Sequence, residues 1–153
     1  LIEEAMECGM DDEFVQENHS RSQKGALRGL HYQDKKAPMA KLVRCTLGKI
    51  FDVAVDLRSN SPTFGKWFSI ELSDENMKIL YVPIGFAHGL QTTSAFADIQ
   101  YKQSGYYTPA AEGTIAWNDP DLNIPWPIPN PLLSEKDLHG MSFKKYSNNP
   151  IFS

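Results

Sequence analysis

The segment Lys49-Ile50-Phe51-Asp52-Val53-Ala54-Val55-Asp56-Leu57-Arg58 alternates from Phe51 onward, with Phe51, Val53, Val55 and Leu57 on one parity and Asp52, Ala54, Asp56 and Arg58 on the other. Successive side chains of an extended chain point to opposite faces, so this stretch reads as a half-buried β-strand with its apolar set turned towards a core. Working outward, further strand candidates lie at 14–18, 26–33, 41–46, 64–72, 79–82, 95–101 and 113–117. Turn signals separate them: Ser22-Gln23-Lys24-Gly25, Leu47-Gly48, Asn60-Ser61-Pro62, Pro83-Ile84-Gly85 and Asn118-Asp119-Pro120. Only residues 1–8 have helix-forming composition, with Gly9 as the stop. Many short strands with little helix predict an all-β sandwich or jelly roll. From Asp121 onward Pro125, Pro127, Pro129 and Pro131 predict a tail that wraps the surface.

At 153 residues the chain is expected to form one domain, 1–153, with a core of its own. Hydrophobic content of 41% and charged content of 22% are ordinary for a globular protein. A net charge of -4 argues against nucleic acid as a partner and requires any anion site to be a local cluster. No apolar run is long enough to cross a membrane, and none reads as a signal peptide. Cys8 and Cys45 match neither a metal spacing nor a disulfide framework, so a reducing, cytoplasmic setting is the expectation. The opening Leu1-Ile2-Glu3-Glu4-Ala5-Met6 reads like the middle of an element, and an upstream N-terminal segment is expected to be missing.

The chemistry concentrates in Leu27-Arg28-Gly29-Leu30-His31-Tyr32-Gln33 and the nearby Lys41. An imidazole moves protons at neutral pH, an ammonium stabilises an oxyanion, and a guanidinium clamps a phosphate. Equally, His31 reads as an ordinary strand histidine beside two solvated cations. Strict alternation would put Arg28 and His31 on opposite faces, and a bulge at Gly29 would bring them to one. The segment Pro83-Ile84-Gly85-Phe86-Ala87-His88-Gly89 resembles the P-x-G-x-x-H pattern of metal-binding cupins. The H-x-H pair those proteins also use is missing, since the equivalent place reads His31-Tyr32-Gln33. A jelly roll without a functional metal is the expectation. Tyr101 is suited to act as a general acid, although any one tyrosine of a β protein also serves as an amphipathic packing residue. Leu133-Ser134-Glu135-Lys136-Asp137 offers a carboxylate to orient a histidine, or is a solvated charged turn. Asp52 and Asp56 are explained by the alternation of their strand.

Taken together these segments resemble the dTDP-4-dehydrorhamnose 3,5-epimerases, which are cupin-like jelly-roll barrels with short peripheral helices. The resemblance rests on Phe14-Val15-Gln16-Glu17-Asn18-His19-Ser20, the Leu27 to Gln33 segment, Lys41-Leu42-Val43-Arg44 and Phe51-Asp52-Val53-Ala54-Val55-Asp56. It continues through Ser61-Pro62-Thr63-Phe64-Gly65, Gly85-Phe86-Ala87-His88-Gly89, Tyr106-Tyr107-Thr108-Pro109, Trp117-Asn118-Asp119-Pro120 and Leu133-Ser134-Glu135-Lys136-Asp137. It implies a cofactor-free homodimer acting on dTDP-4-dehydro-6-deoxy-D-glucose on the way to dTDP-L-rhamnose. It implies His31 as the base next to the C4 ketone, Asp137 as its partner, Tyr101 as the acid on the opposite face and Lys41 as the cation on the enolate oxygen. Gln16, Asn18, Arg28, His88, Glu112 and Lys136 fall at substrate-contacting positions, with Arg28 suited to the pyrophosphate. Tyr107 falls where the family stacks an aromatic ring on the thymine.

Two departures accompany the match. Family members carry upstream strands that contribute an arginine, a phenylalanine and a glutamate, and this chain has nothing to align with them. The loop Asp34-Lys35-Lys36-Ala37-Pro38-Met39-Ala40 lacks the usual glycine before the lysine. The rival readings are an epimerase that inverts only C3 or only C5, a sugar-nucleotide-binding jelly roll without turnover, and a metal-dependent cupin.

Overall fold

The computed structural model describes residues 10–153; the helix expected over 1–8 lies outside them, as does Cys8. Among the described residues nine strands run in order: β1 (Gln16–Gln23), β2 (Leu27–Gln33), β3 (Lys41–Leu47), β4 (Lys49–Asp56), β5 (Trp67–Ser73), β6 (Ile79–Val82), β7 (Phe86–Thr92), β8 (Phe96–Gln103) and β9 (Glu112–Thr114). They form a four-stranded sheet ordered β1-β8-β3-β6 and a five-stranded sheet ordered β5-β4-β7-β2-β9, with every pairing antiparallel. Two short helices follow, α1 (Glu135–Leu138) and α2 (Phe143–Ser147), capped by the Ser134 and Ser142 side chains. The fold is the expected cupin-like jelly roll.

Two cores hold it together. Val43, Cys45, Ile50, Ala54, Leu72, Val82, Leu90, Ala97 and Ile99 fill the space between the sheets. On the other face of the five-stranded sheet, Leu30, Tyr32, Val53, Val55, Leu57 and Ala87 pack against Ile115, Leu122, Ile124, Tyr146 and Phe152. That second core corrects two expectations. Strand β4 is buried on both faces rather than half-buried, because its apolar parity meets the C-terminal tail and its polar parity faces the barrel interior. The tail does not merely wrap the surface but completes a core. The Tyr146 hydroxyl donates to the Leu57 carbonyl at 2.9 Å and accepts from the Phe152 N–H at 3.4 Å. The Gln91 side chain grips Ile128 N–H and C=O, each at 2.9 Å.

Strand β7 is an element the sequence did not announce beyond its turn and histidine. It is buried almost throughout, and a strand covered on both faces shows no alternation to read. Strand β1 runs eight residues, past the predicted end at 18 and into the predicted turn, because it pairs with β8 from Gln16↔Gln103 to Gln23↔Phe96. Its sequence, Gln-Glu-Asn-His-Ser-Arg-Ser-Gln, has little strand propensity of its own, and the ladder overrides that. Strand β5 starts at Trp67 rather than 64, and β9 stops at Thr114 rather than 117.

Candidate active site

A single irregularity in β2 assembles the site. Leu27 and Arg28 pair with Gln91 and Leu90, whereas the next pairing is His31 with His88, so β2 spends one more residue than β7. Gly29 absorbs the extra residue at φ +122°, and a Cβ there would lie 2.6 Å from Gly89 Cα and 2.7 Å from the His88 carbonyl oxygen. Only glycine fits that conformation and that approach. The slip changes parity, so Arg28 and His31 both line one cavity.

That cavity, about 250 Å³, lies between the sheets. Gln16, Asn18, Arg28, His31, Lys41, His88, Tyr101, Tyr107, Glu112 and Lys136 all line it, and Asp137 lies behind His31. Ser20, Tyr32, Gln33, Met39, Leu90 and Gln103 line it as well, and sequence reading did not single them out. His31 and His88 project from the five-stranded sheet, Lys41 and Tyr101 from the four-stranded one.

His31 Nε2 bonds Asp137 Oδ1 at 2.6 Å. Asp137, 2% exposed, also accepts from Gly29 N–H at 3.2 Å and from the Ser134 hydroxyl at 2.6 Å. Burial pushes the Asp137 carboxyl up, but the bonds from His31 and Ser134 outweigh it and hold it below its usual range. Burial lowers the His31 pKa despite the bond to Asp137. The consistent state is a neutral imidazole that donates Nε2–H to a carboxylate and keeps a lone pair on Nδ1. Glu112 Oε1 lies 3.9 Å from that Nδ1.

His88 repeats the pattern. Its Nε2 bonds Asp52 Oδ1 at 2.7 Å, and Asp52 is 0% exposed. The two imidazoles are cross-strand partners, so two histidine–carboxylate pairs stand side by side on one wall. Asp52 therefore does more than satisfy an alternation. Its role was hidden because its partner lies on a strand whose register the sequence does not specify. Asp56, by contrast, ties down its own loop through Arg58, Ser61 and Thr63.

Burial also lowers the Lys41 pKa, to about 8, against the pull of Glu112 and Asp52. Glu112 accepts two contacts from Lys136 Nζ at 2.9 Å and one from the Tyr107 hydroxyl at 2.8 Å. Arg28 Nε donates to the Ser22 hydroxyl at 3.2 Å. Among the described residues, no three or more His, Cys, Asp or Glu side chains are grouped to hold a metal ion. No helix among them is long and apolar enough to cross a membrane.

The model of the dTDP-4-dehydrorhamnose 3,5-epimerase family matches residues 2–145. A dTDP-4-dehydrorhamnose 3,5-epimerase of Shigella flexneri is 52% identical over 143 residues, covering 94% of this chain and 78% of that protein. The crystal structure of a dTDP-4-dehydrorhamnose 3,5-epimerase from Elizabethkingia anophelis superposes with a TM-score of 0.91 at 47% identity, covering 95% of this chain and 81% of that one. A dTDP-6-deoxy-D-glucose-3,5-epimerase from Legionella pneumophila, solved in complex with dTDP-4-keto-L-rhamnose, gives 0.88 at 47% identity, covering 93% of this chain and 76% of that one. The chain belongs to the dTDP-4-dehydrorhamnose 3,5-epimerase family.

Proposed function

We propose that the protein inverts C3 and C5 of dTDP-4-dehydro-6-deoxy-D-glucose, giving dTDP-4-dehydro-L-rhamnose. The observation that carries this reading is the His31–Asp137 pair on one sheet wall with Tyr101 and Lys41 on the other, all reached from one cavity. His31 Nδ1 takes the proton from the carbon next to the C4 ketone, and the C–H electron pair moves into the ring to make an enolate with its charge on O4. The Lys41 ammonium neutralises that charge, with His88, held by Asp52, lining the same cavity. The Tyr101 phenol then delivers a proton to the same carbon from the opposite face, which inverts it, and the pair resets through solvent. The ketone itself is the electron sink, so the chemistry calls for no cofactor.

General acid–base catalysis supplies about 10²–10⁴-fold, which leaves Lys41 and substrate positioning to supply much of the rest. In this reading Arg28 clamps the diphosphate, and Tyr107, half-exposed in the cavity lining, stacks on the thymine face. Gln16, Asn18, Glu112 and Lys136 complete the contacts. A homodimer is part of the same reading, supported by the family likeness and by the exposed Phe68, Ile79 and Phe96 on the strands. Light scattering in solution tests it.

Incubation with dTDP-4-dehydro-6-deoxy-D-glucose in deuterated water, followed by NMR, tests the function. Deuterium at both C3 and C5 is expected. Label at one carbon alone would make the protein a single-site epimerase, and none would make it a binding module.

A further inference from the structure

Four side chains and one backbone group form a continuous hydrogen-bond chain along the four-stranded wall of the cavity. Tyr107 N–H donates to Gln16 Oε1 at 3.2 Å, and Gln16 Nε2 donates to Asn18 Oδ1 at 3.3 Å. Asn18 Nδ2 donates to Gln103 Oε1 at 2.6 Å, and Gln103 Nε2 donates to the Met39 sulfur at 3.0 Å. Amides accept a hydrogen bond at one end and donate at the other, so each could in isolation face either way. Here both ends are constrained. The backbone N–H of Tyr107 only donates, and a thioether sulfur only accepts. With those two groups in place, every amide between them has one orientation that keeps the chain intact.

Gln103 is the keystone by position. It is 5% exposed, two residues beyond Tyr101 on the same strand face, and opposite Gln16 on one neighbouring strand and Lys41 on the other. A turned Gln103 would set its NH₂ against the Asn18 NH₂ and leave one buried and one half-buried donor without an acceptor, which is costly where water is partly excluded. Nothing else in the structure offers the Asn18 amide nitrogen an acceptor among the hydrogen bonds formed by described residues. The same two loops are tied a second time, by Ala40 N–H to the Ser104 hydroxyl at 2.8 Å and Ser104 N–H to the Ala40 carbonyl at 3.0 Å. The loop bearing Met39 and the loop bearing Tyr107 are therefore held at fixed distance, and the amides between them span the gap.

We infer that Gln103 is a positioning residue for the nucleotide: with Met39 as its terminal acceptor, it fixes the Asn18 amide from one end of the chain, as the Tyr107 N–H fixes the Gln16 amide from the other, and so sets which donor and acceptor of Asn18 the dTDP moiety meets. It acts through Asn18 and not on the reacting carbons. The inference rests on the reading of this cavity as a dTDP-sugar site.

Calorimetric titration with dTDP, together with steady-state kinetics, tests it. Gln103→Leu, which keeps an unbranched-β side chain of similar bulk and removes the acceptor, weakens dTDP binding about fivefold, the size of one net hydrogen bond, and raises KM with kcat within twofold. In an Asn18→Ala background the same substitution changes binding by less than twofold, because the group it acts through is gone. Met39→Leu, which cuts the chain outside the strand ladder, also weakens binding, and Met39→Gln, which restores an acceptor oxygen, does not. Equal losses from Gln103→Leu in both backgrounds, or Met39→Leu and Met39→Gln behaving alike, overturn the inference. A wild-type protein that fails to bind dTDP at all overturns the functional reading beneath it instead.

Discussion

Replacing Asp137 by asparagine isolates one quantity, the charge behind the base. Asp137 Oδ1 accepts from His31 and Gly29, and Oδ2 from Ser134, whose hydroxyl can turn to accept instead. An asparagine amide keeps a carbonyl oxygen for His31 Nε2–H and offers its NH₂ to Ser134, so shape and tautomer survive. What disappears is the carboxylate that faces the imidazolium formed when His31 takes its proton. A hydrogen bond to a charged group is worth about 1.5–3 kcal/mol net and a neutral one about 0.5–1.5, so the imidazolium loses about 1–2 kcal/mol. With Asp137 only 2% exposed, solvent screens little of that difference. At about 1.4 kcal/mol per tenfold, Asp137→Asn lowers kcat about 5–30-fold, well short of the about 10²–10⁴-fold expected for His31→Ala. The assay is deuterium incorporation into dTDP-4-dehydro-6-deoxy-D-glucose followed by NMR across a pH series. Because the carboxylate favours protonated His31, its loss also moves the acid limb of kcat/KM to lower pH. An unchanged rate, an acid limb that moves upward, or a loss as deep as that of His31→Ala would refute the reasoning.

The wild-type profile of kcat/KM is expected to be bell-shaped. It rises through a value below the ordinary histidine 6.5 as His31 deprotonates, and falls near pH 8 as Lys41 loses its proton; Lys41→Arg, which stays charged, removes the alkaline limb. Asp52→Asn lowers kcat by roughly tenfold with KM little changed, the cost of an uncharged partner for His88; a wild-type kcat would return Asp52 to a purely structural role. Arg28→Ala raises KM by about 30-fold, the worth of a charge-assisted contact of about 2 kcal/mol, with kcat within threefold; steady-state kinetics would contradict it by showing the loss in kcat alone. Tyr146→Phe strands the Leu57 carbonyl at the seam between sheet and tail and costs about 2 kcal/mol, read as a thermal midpoint about 5 °C lower. An unshifted midpoint would mean that the tail docks without that bond.

The candidate residues that share the cavity were legible by residue type and hardly at all by geometry. His31, Lys41, Arg28 and Tyr101 were open as candidates because their side chains can do what proton transfer beside a diphosphate needs, but read alone they also suit ordinary strand polarity and packing, and the family resemblance is what gave them roles. Asp52 did not, because a carboxylate on the polar parity of a strand is also what a solvated face looks like. Its parity turned out to face the barrel interior, and only the β4–β7 register brings it to His88, 36 residues away in the chain. Gln103 and Met39 carry no signal of their own, since an amide and a thioether become informative only once their partners are known. The tail shows the same limit: its prolines predict an extended path, but not that Leu122, Ile124, Tyr146 and Phe152 would fill a core.

Two classes of property therefore separate. Local ones, the strand period of β4, the glycine that permits a bulge at Gly29, and the candidate acid, base and cations, belong to the sequence, because steric and protonation preferences are set by a residue and its neighbours. Which face of β4 is the interior, which carboxylate stands behind which histidine, and which way three amides point belong to the tertiary structure. Those depend on pairings between distant segments, such as the 106 residues that separate His31 from Asp137, and they are decided only when the sheets close and bury them.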